Sequence, residues 1–474
     1  MKSRPDLSTL TSEQKDELIL QLWDRLDKLE AMLLKNSNNS SKPPSSDGFK
    51  RKPKSRRVAG KASAGGQKGH PGSTLKRVDV ADEVQVHQSP QRCTTCGSKL
   101  DMHIATVDVQ GRQVIDLPAI GMTVVEHRLQ RVRCRCGQEH AGSYPEGVTQ
   151  AAQYGPGIKA AVVYLTQYQH VPMKRCTRLM QDLFGVTMSP ASVYAAIAQA
   201  HTAVAPVVQA LGESLLQAPV VHFDETGMRV GTKLHWMHSA STEDAVVYQV
   251  HARRGYKALE AFNLLPRFEG VAVHDGWPSY YRFKVQHALC NAHHLRELEF
   301  VVDSTGQQWA QDMASLLVKM NRAVDASENG VLSQHAAASY RRRYRQLIEQ
   351  GRQHNPEKLT DPARKDKRGG IKQSTTYNLI RRLDEYADDV LRFMRDARVP
   401  FTNNLAERDL RMPKLKQKVS GCYRSLAGAQ AYCSIRSYIG TLQKQSKGLI
   451  QALTMLFSGR MPADGGGSTR LCVP

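Results

Sequence analysis

Residues 218–227 read APVVHFDETG and residues 270–276 read GVAVHDG, two short apolar runs that each stop at an acid, Asp224 and Asp275. Valine-rich runs bounded by proline or glycine predict strands, and the segments between them, TKLHWMHS (232–239) and AVVYQVH (245–251), alternate as a meander does. Residues 256–268 predict a helix before the second acid. With the first and fourth strands as neighbours, both carboxylates stand at one sheet edge. Two carboxylates that close repel each other unless a cation lies between them, and Mg2+ or Mn2+ are hard ions that take oxygen ligands. A third ligand is expected from a helix packed on this sheet. PFTNNLAERDLR (400–411) offers one, with Thr402 or Asn403 as cap and Glu407 about one turn in. Glu407 stands in a basic field of Arg408, Arg411, Lys414, Lys416 and Lys418, while Asp409, Glu297 and Glu299 compete for its position.

At 474 residues and 41% hydrophobic, the chain can bury a large core and is expected to hold several structural units. Its 66 Lys+Arg against 44 Asp+Glu give a formal charge of +22, which favours a polyanionic partner through counterion release. The charge is uneven: no acid occurs from Gly48 to Val78, and Arg51, Lys52, Lys54, Arg56 and Arg57 crowd the start of that stretch as candidate DNA-phosphate contacts. No eighteen-residue apolar run exists and the N-terminus lacks the apolar core of a signal peptide, so a cytoplasmic protein without a membrane partner is expected.

Residues 11–35 predict a helix opened by Thr11 or Ser12, with Ile19, Leu22, Leu26, Leu29 and Leu33 at spacings of three and four. Such a seam is marginal alone and predicts pairing with another copy. NSNNSSKPPSSDGFKRKPKSRR (36–57) follows, polar and then basic, and predicts a flexible tether. Of nine cysteines, four form two tight pairs, Cys93 with Cys96 and Cys134 with Cys136, each followed by a glycine. Four thiolates on two turns predict structural Zn2+, held among small antiparallel strands between residues 80 and 144. The second pair is CxC where the commonest ribbons have CxxC; unliganded thiols or a redox pair are the alternatives. Farther on, Met173–Phe184 predicts one helix, residues 185–188 a turn, and Ser189 with Pro190 the start of another at Ala191–Ala200. That is helix-turn-helix spacing, which an ordinary helical hairpin shares.

Several motifs are specific in combination: NSxNSSxPPSSD, GGQxGHxG, the paired cysteines, HxDETG at His222–Gly227, HDGWxSY at His274–Tyr280, CNAHHLREL at Cys290–Leu298 and NNLAERDLR at Asn403–Arg411. With the leucine-zipper-like start, they make the chain resemble the insertion-sequence-66 family of transposases over nearly its whole length. The resemblance implies a ribonuclease-H-like catalytic domain whose DDE triad is Asp224, Asp275 and Glu407, holding two Mg2+ or Mn2+ ions. It implies DNA transposition by phosphoryl transfer: cleavage at the ends of the insertion sequence, then joining to target DNA. Double-stranded DNA, further copies of the chain and small accessory proteins of the same mobile element are the implied partners, in a bacterial cytoplasm. Cys290 and His293 sit where some DDE transposases carry CxxH, there to shape the site or grip DNA, or merely to pack a helix. His222 and His274 are candidates to support the triad, or packing residues; Trp277 and Tyr280 are candidates to stack on a base, or core aromatics. The alternative to a transposase is a non-catalytic DNA-binding regulator derived from one, and a nuclease of the same fold is a further rival.

The expected architecture is therefore multi-domain α+β. It comprises a zipper-like helix (1–36), a basic linker (37–79), a zinc-ribbon-like unit (80–145), a helix-turn-helix region (146–205), a first catalytic part (206–305), a helical insertion (306–398), a second catalytic part (399–460) and a tail (461–474).

Overall fold

The computed structural model describes residues 11–40, 77–85, 90–99, 112–117, 121–359 and 371–459, with Leu75 and His87. Arg51, Lys52, Lys54, Arg56, Arg57 and the tail lie outside the described residues. The chain divides into two compact units, Ser55–Val124 and the remainder. Within Ser55–Val124, a tight turn holds Cys93 and Cys96 between the bridged residues Arg92 and Lys99.

In the larger unit the order is α1 (Ser12–Leu34), β1 (Arg131–Arg133), β2 (Glu139–Ala141), α2 (Pro156–Val163) with a π-helical turn at Tyr164–Tyr168, α3 (Met173–Phe184) and α4 (Pro190–Leu216). Next come β3 (Val220–Val230), β4 (Lys233–Ser241), β5 (Val246–His251), α5 (Tyr256–Phe262), β6 (Val271–His274) and β7 (Gln286–Leu289). The rest is helical: α6 (Asn291–Thr305), α7 (Gln308–Asp325), α8 (Gln334–His354), α9 (Thr375–Glu385), α10 (Ala387–Val390), α11 (Asn404–Asp409), α12 (Arg411–Ser420), α13 (Leu426–Lys444) and α14 (Leu449–Phe457).

The central sheet has the order β5-β4-β3-β6-β7. β3, β4 and β5 form an antiparallel meander, whereas β6 runs parallel to β3 and β7 parallel to β6. Alternation along each strand sorts side chains onto two faces. Val221, Phe223, Ala240, Val247 and Ala272 enter one core with α2, α4, α13 and α14. On the opposite face, Val271 and Val273 pack with α6 to α9, while Met228, Val246 and Tyr248 pack with Leu410, Tyr432 and Cys433. α13 also seals the edge strand β5: the Val246 amide donates to Thr441 Oγ1 at 3.1 Å and the Tyr248 amide to Ser437 Oγ at 2.9 Å.

Three local expectations change. Residues 36–40, assigned by composition to the tether, are folded against α6: Asn39 is buried and its side-chain amide donates to Asp303 Oδ2 at 2.8 Å. Asparagine amides can satisfy the chain leaving a helix, which a composition reading discounts. The strands expected between 80 and 144 reduce, among the described residues, to the exposed β1–β2 hairpin and the Arg92–Lys99 bridge. Residues 112–117 and 121–130 alternate in sequence but take no strand pairing. Third, α4 does not stop near Ala200 but runs to Leu216, through the boundary expected at residue 205. It is long and apolar enough to cross a membrane by composition, yet Val193, Ile197, Ala200, Val204, Leu211 and Leu215 are buried in the protein's own core.

Candidate active site

The parallel register pairs His222 of β3 with Val273 of β6, so two residues farther on Asp224 and Asp275 stand level with one another. Asp275 lies just past the carboxyl end of β6, whereas Asp224 lies within β3, which does not stop at the acid as the apolar run suggested but continues to Val230 in the β3–β4 hairpin. The carboxyl end of β6 is on the edge where open α/β sheets place ligands. Asp224 shares strand parity with His222, the face on which α11 lies, and Glu225 takes the opposite face. Asn403 fastens α11 there: its side-chain amide donates to the Phe223 carbonyl at 2.8 Å, its Oδ1 lies 2.8 Å from His222 Nδ1, and its backbone amide donates to Cys290 Sγ at 3.1 Å. Asn403 is the N-cap residue of α11 as expected, but its side chain makes no capping bond and instead ties α11 to the sheet. Glu407 is then in the first turn.

The acids repel one another. Burial, followed by the negative fields of Glu225, Asp275 and Glu407, raises the Asp224 carboxyl well above the usual carboxylate range. Asp275 Oδ1 accepts from the Trp277 amide at 3.0 Å, and its Oδ2 lies 3.5 Å from Arg254 Nη2. For Glu407, burial works upward, but the His293 hydrogen bond and the charges of His293, Arg296 and Lys414 win and hold the carboxyl below its usual value. His293 Nε2 is 3.2 Å and Arg296 Nη2 is 3.6 Å from Glu407 Oε1. Among the described residues, the one group of three possible metal-ligand atoms within 4.8 Å of each other is Cys290, His293 and Glu407. Burial pushes the Cys290 thiol up to about 12.

Two of the competing acids are committed elsewhere. Asp409 pairs with Lys444 at 2.9 Å and Glu297 with Arg382 at 2.8 Å. His274 is fully buried; its Nε2 lies 3.0 Å from His287 Nδ1, its Nδ1 accepts from the Gly276 amide at 3.0 Å, and its ring stacks on Tyr280. It therefore shapes the turn carrying Asp275, and burial holds it well below the usual imidazole value. Tyr280 belongs to the core, whereas Trp277 is exposed. Arg408, Arg411 and Lys414 are all exposed around Glu407.

Glu225 and Arg254 were missed by the sequence reading. Glu225 is buried and accepts from Arg254 Nε at 2.7 Å and from the Tyr280 hydroxyl at 2.7 Å. Arg254 also lies over the rings of Trp277, at 4.1 Å, and Trp236, at 5.0 Å. The available signal was the Asp-Glu pair itself: adjacent strand residues face opposite ways, so the second acid needs a cation of its own.

The two cysteine turns are locally alike. Gly97 and Gly137 have φ of +73° and +89°, and their amides donate at 2.9 Å to the carbonyls of Cys93 and Cys134. Backbone amides of Cys96 and Cys136 lower the Cys93 thiol, to about 7, and the Cys134 thiol.

Acids from β3, the end of β6 and α11 thus lie near exposed cations in a mixed α and β protein. Among known families, the model of the Transposase IS66 family matches residues 151–431, and the chain belongs to that family. It is thus a transposase, a DNA-processing enzyme. Residues 2–76 match a family of unknown function. No curated protein matches the chain.

Proposed function

We propose that this transposase cleaves and joins DNA strands by metal-dependent phosphoryl transfer, with Asp224, Asp275 and Glu407 as the triad that holds two Mg2+ or Mn2+ ions. The observation that carries the reading is that Asp224, partly buried, stands level with Asp275 and its carboxyl is raised by burial and then by the neighbouring acids Glu225, Asp275 and Glu407. Such a site favours divalent cations. When bound, the ions activate water or a 3′-hydroxyl as nucleophile and stabilise the leaving oxygen of an in-line displacement. The protein's share is placement. Arg254 restrains Asp275, Asn403 fixes α11 on β3, His293 and Arg296 orient Glu407, and Arg408, Arg411 and Lys414 offer cations to DNA phosphates.

The sheet order, a meander continued by two parallel strands, supports a ribonuclease-H-like catalytic core, with α7 to α10 as the insertion before the Glu407 helix. We read Cys93, Cys96, Cys134 and Cys136 as structural zinc ligands, since both turns stabilise thiolates. α3 and α4 are read as a helix-turn-helix: Gly185 ends the first helix with φ +68°, and Ser189 caps the second. The exposed seam of α1, with Leu22 55% and Leu26 52% exposed, supports pairing of copies. The basic linker, a cytoplasmic location and accessory proteins of the element complete the proposal.

The test incubates the full chain with duplexes carrying the ends of its own element, with Mg2+ or with a chelator. Metal-dependent nicking or end joining is expected. Binding without cleavage, even with accessory proteins added, would point to a DNA-binding regulator instead.

A further inference from the structure

α6 and α11 bring Cys290 Sγ, a His293 ring nitrogen and a Glu407 oxygen within 4.8 Å of one another. We propose that these three side chains form a zinc site whose occupation withdraws Glu407 from the magnesium-binding triad. The consequence for cleavage rests on reading Glu407 as a triad member; the site itself rests on ligand geometry.

Cys290 is the N-cap residue of α6 and His293 lies in its first turn, so one short stretch of chain presents both side chains towards Glu407. The buried Cys290 thiol gives up its proton only as the metal binds. Zinc bonds of about 2.0–2.3 Å separate tetrahedral ligand atoms by roughly 3.3–3.8 Å. His293 Nε2 and Glu407 Oε1, at 3.2 Å, lie just short of that spacing. The Asn403 amide donating to Cys290 Sγ is the kind of outer hydrogen bond that steadies a metal thiolate. His293 and Glu407 keep 24% and 29% side-chain exposure, which leaves a route in and a fourth position for water. Sulfur and imidazole nitrogen suit zinc and disfavour magnesium, which demands oxygen around it. Because one carboxylate cannot serve both sets, zinc here opposes magnesium-dependent cleavage.

The test titrates the full-length protein with Co2+, a coloured stand-in for zinc, and back-titrates with Zn2+. The four paired cysteines also offer thiols, so the readout is the difference between wild type and Cys290→Ser. Cys290→Ser is expected to bind about one metal ion fewer per chain and to lose the matching share of the sulfur-to-cobalt absorption. His293→Gln, a partly exposed position that guards against misfolding of the buried variant, is expected to weaken that ion's binding roughly tenfold or more. Equal metal content and spectra in wild type and both variants, with matching thermal melts, would overturn the site. The titration needs no DNA, so it reads the site even if the protein cleaves nothing.

Discussion

Arg254 holds the edge carrying Asp275, the proposed metal site, together from behind. It neutralises Glu225, whose side chain is 1% exposed, and reaches Asp275 while its guanidinium lies over two tryptophan rings. Arg254→Ala leaves a buried carboxylate with only the Tyr280 hydroxyl as partner. A loss of about 2 kcal/mol is expected, discounted from the value for fully buried pairs because Arg254 is 30% exposed. Chemical denaturation checks it, and an unchanged midpoint would remove Arg254 from this role. At this scale the sequence was partly legible. Asp224, Asp275 and Glu407 stood out because an acid ending an apolar run of sequence, or isolated in a basic helix, conflicts with its surroundings. Glu225 and Arg254 did not, since their partnership depends on which residues the sheet places across from each other.

Among elements, α13 decides whether the meander stays closed. A Cβ on Gly440 would sit 2.8 Å from Val246 Cγ1, so the helix approaches β5 as closely as only glycine permits. Gly440→Ala is expected to push α13 outward and strain the bonds that Ser437 and Thr441 make to the edge strand, costing about 1–3 kcal/mol. Thermal melting and faster hydrogen exchange at the Val246 and Tyr248 amides would register it; protection equal to wild type would contradict it. Four of the five strands of this sheet were readable because each alternates or runs apolar between turn residues; β7, four residues long, was not anticipated, and β3 runs on past Asp224 to Val230. Among the described residues, 112–117 and 121–130 were misread because alternation without burial carries no strand-forming drive. The length of α4 was underestimated because its cap was visible and its end, an alanine-rich run through Pro206, was not.

For the whole molecule, buried histidines set the response to acid. Burial, aided by Arg436 and Lys416, depresses His170 from 6.5 to about 4, and burial depresses His238 likewise to about 4. The unfolded chain takes these protons near pH 6.5, but the folded one refuses them until about pH 4. Their stabilising contribution is therefore present above 6.5 and lost as pH falls from 6.5 towards 4. Two protons correspond to a slope of up to ~2.7 kcal/mol per pH unit. His170 has a positive φ of 59°, which asparagine tolerates, so His170→Asn should flatten the slope by about one proton without backbone strain. Melts between pH 7 and pH 4 measure this, and parallel curves for wild type and variant would contradict it. The excess of 66 basic over 44 acidic residues pointed to a polyanion from the start. Which side chains meet DNA is a matter of surface geometry that composition does not encode.

The central claim is that Asp224, Asp275 and Glu407 act as one metal-holding unit. Its most direct test compares Mg2+- or Mn2+-dependent cleavage of element-end duplexes by wild type, Asp224→Asn, Asp275→Asn and Glu407→Gln, with DNA binding measured in parallel. Loss of cleavage in all three variants with binding retained is the predicted result. Undiminished cleavage by any one of them would contradict the triad.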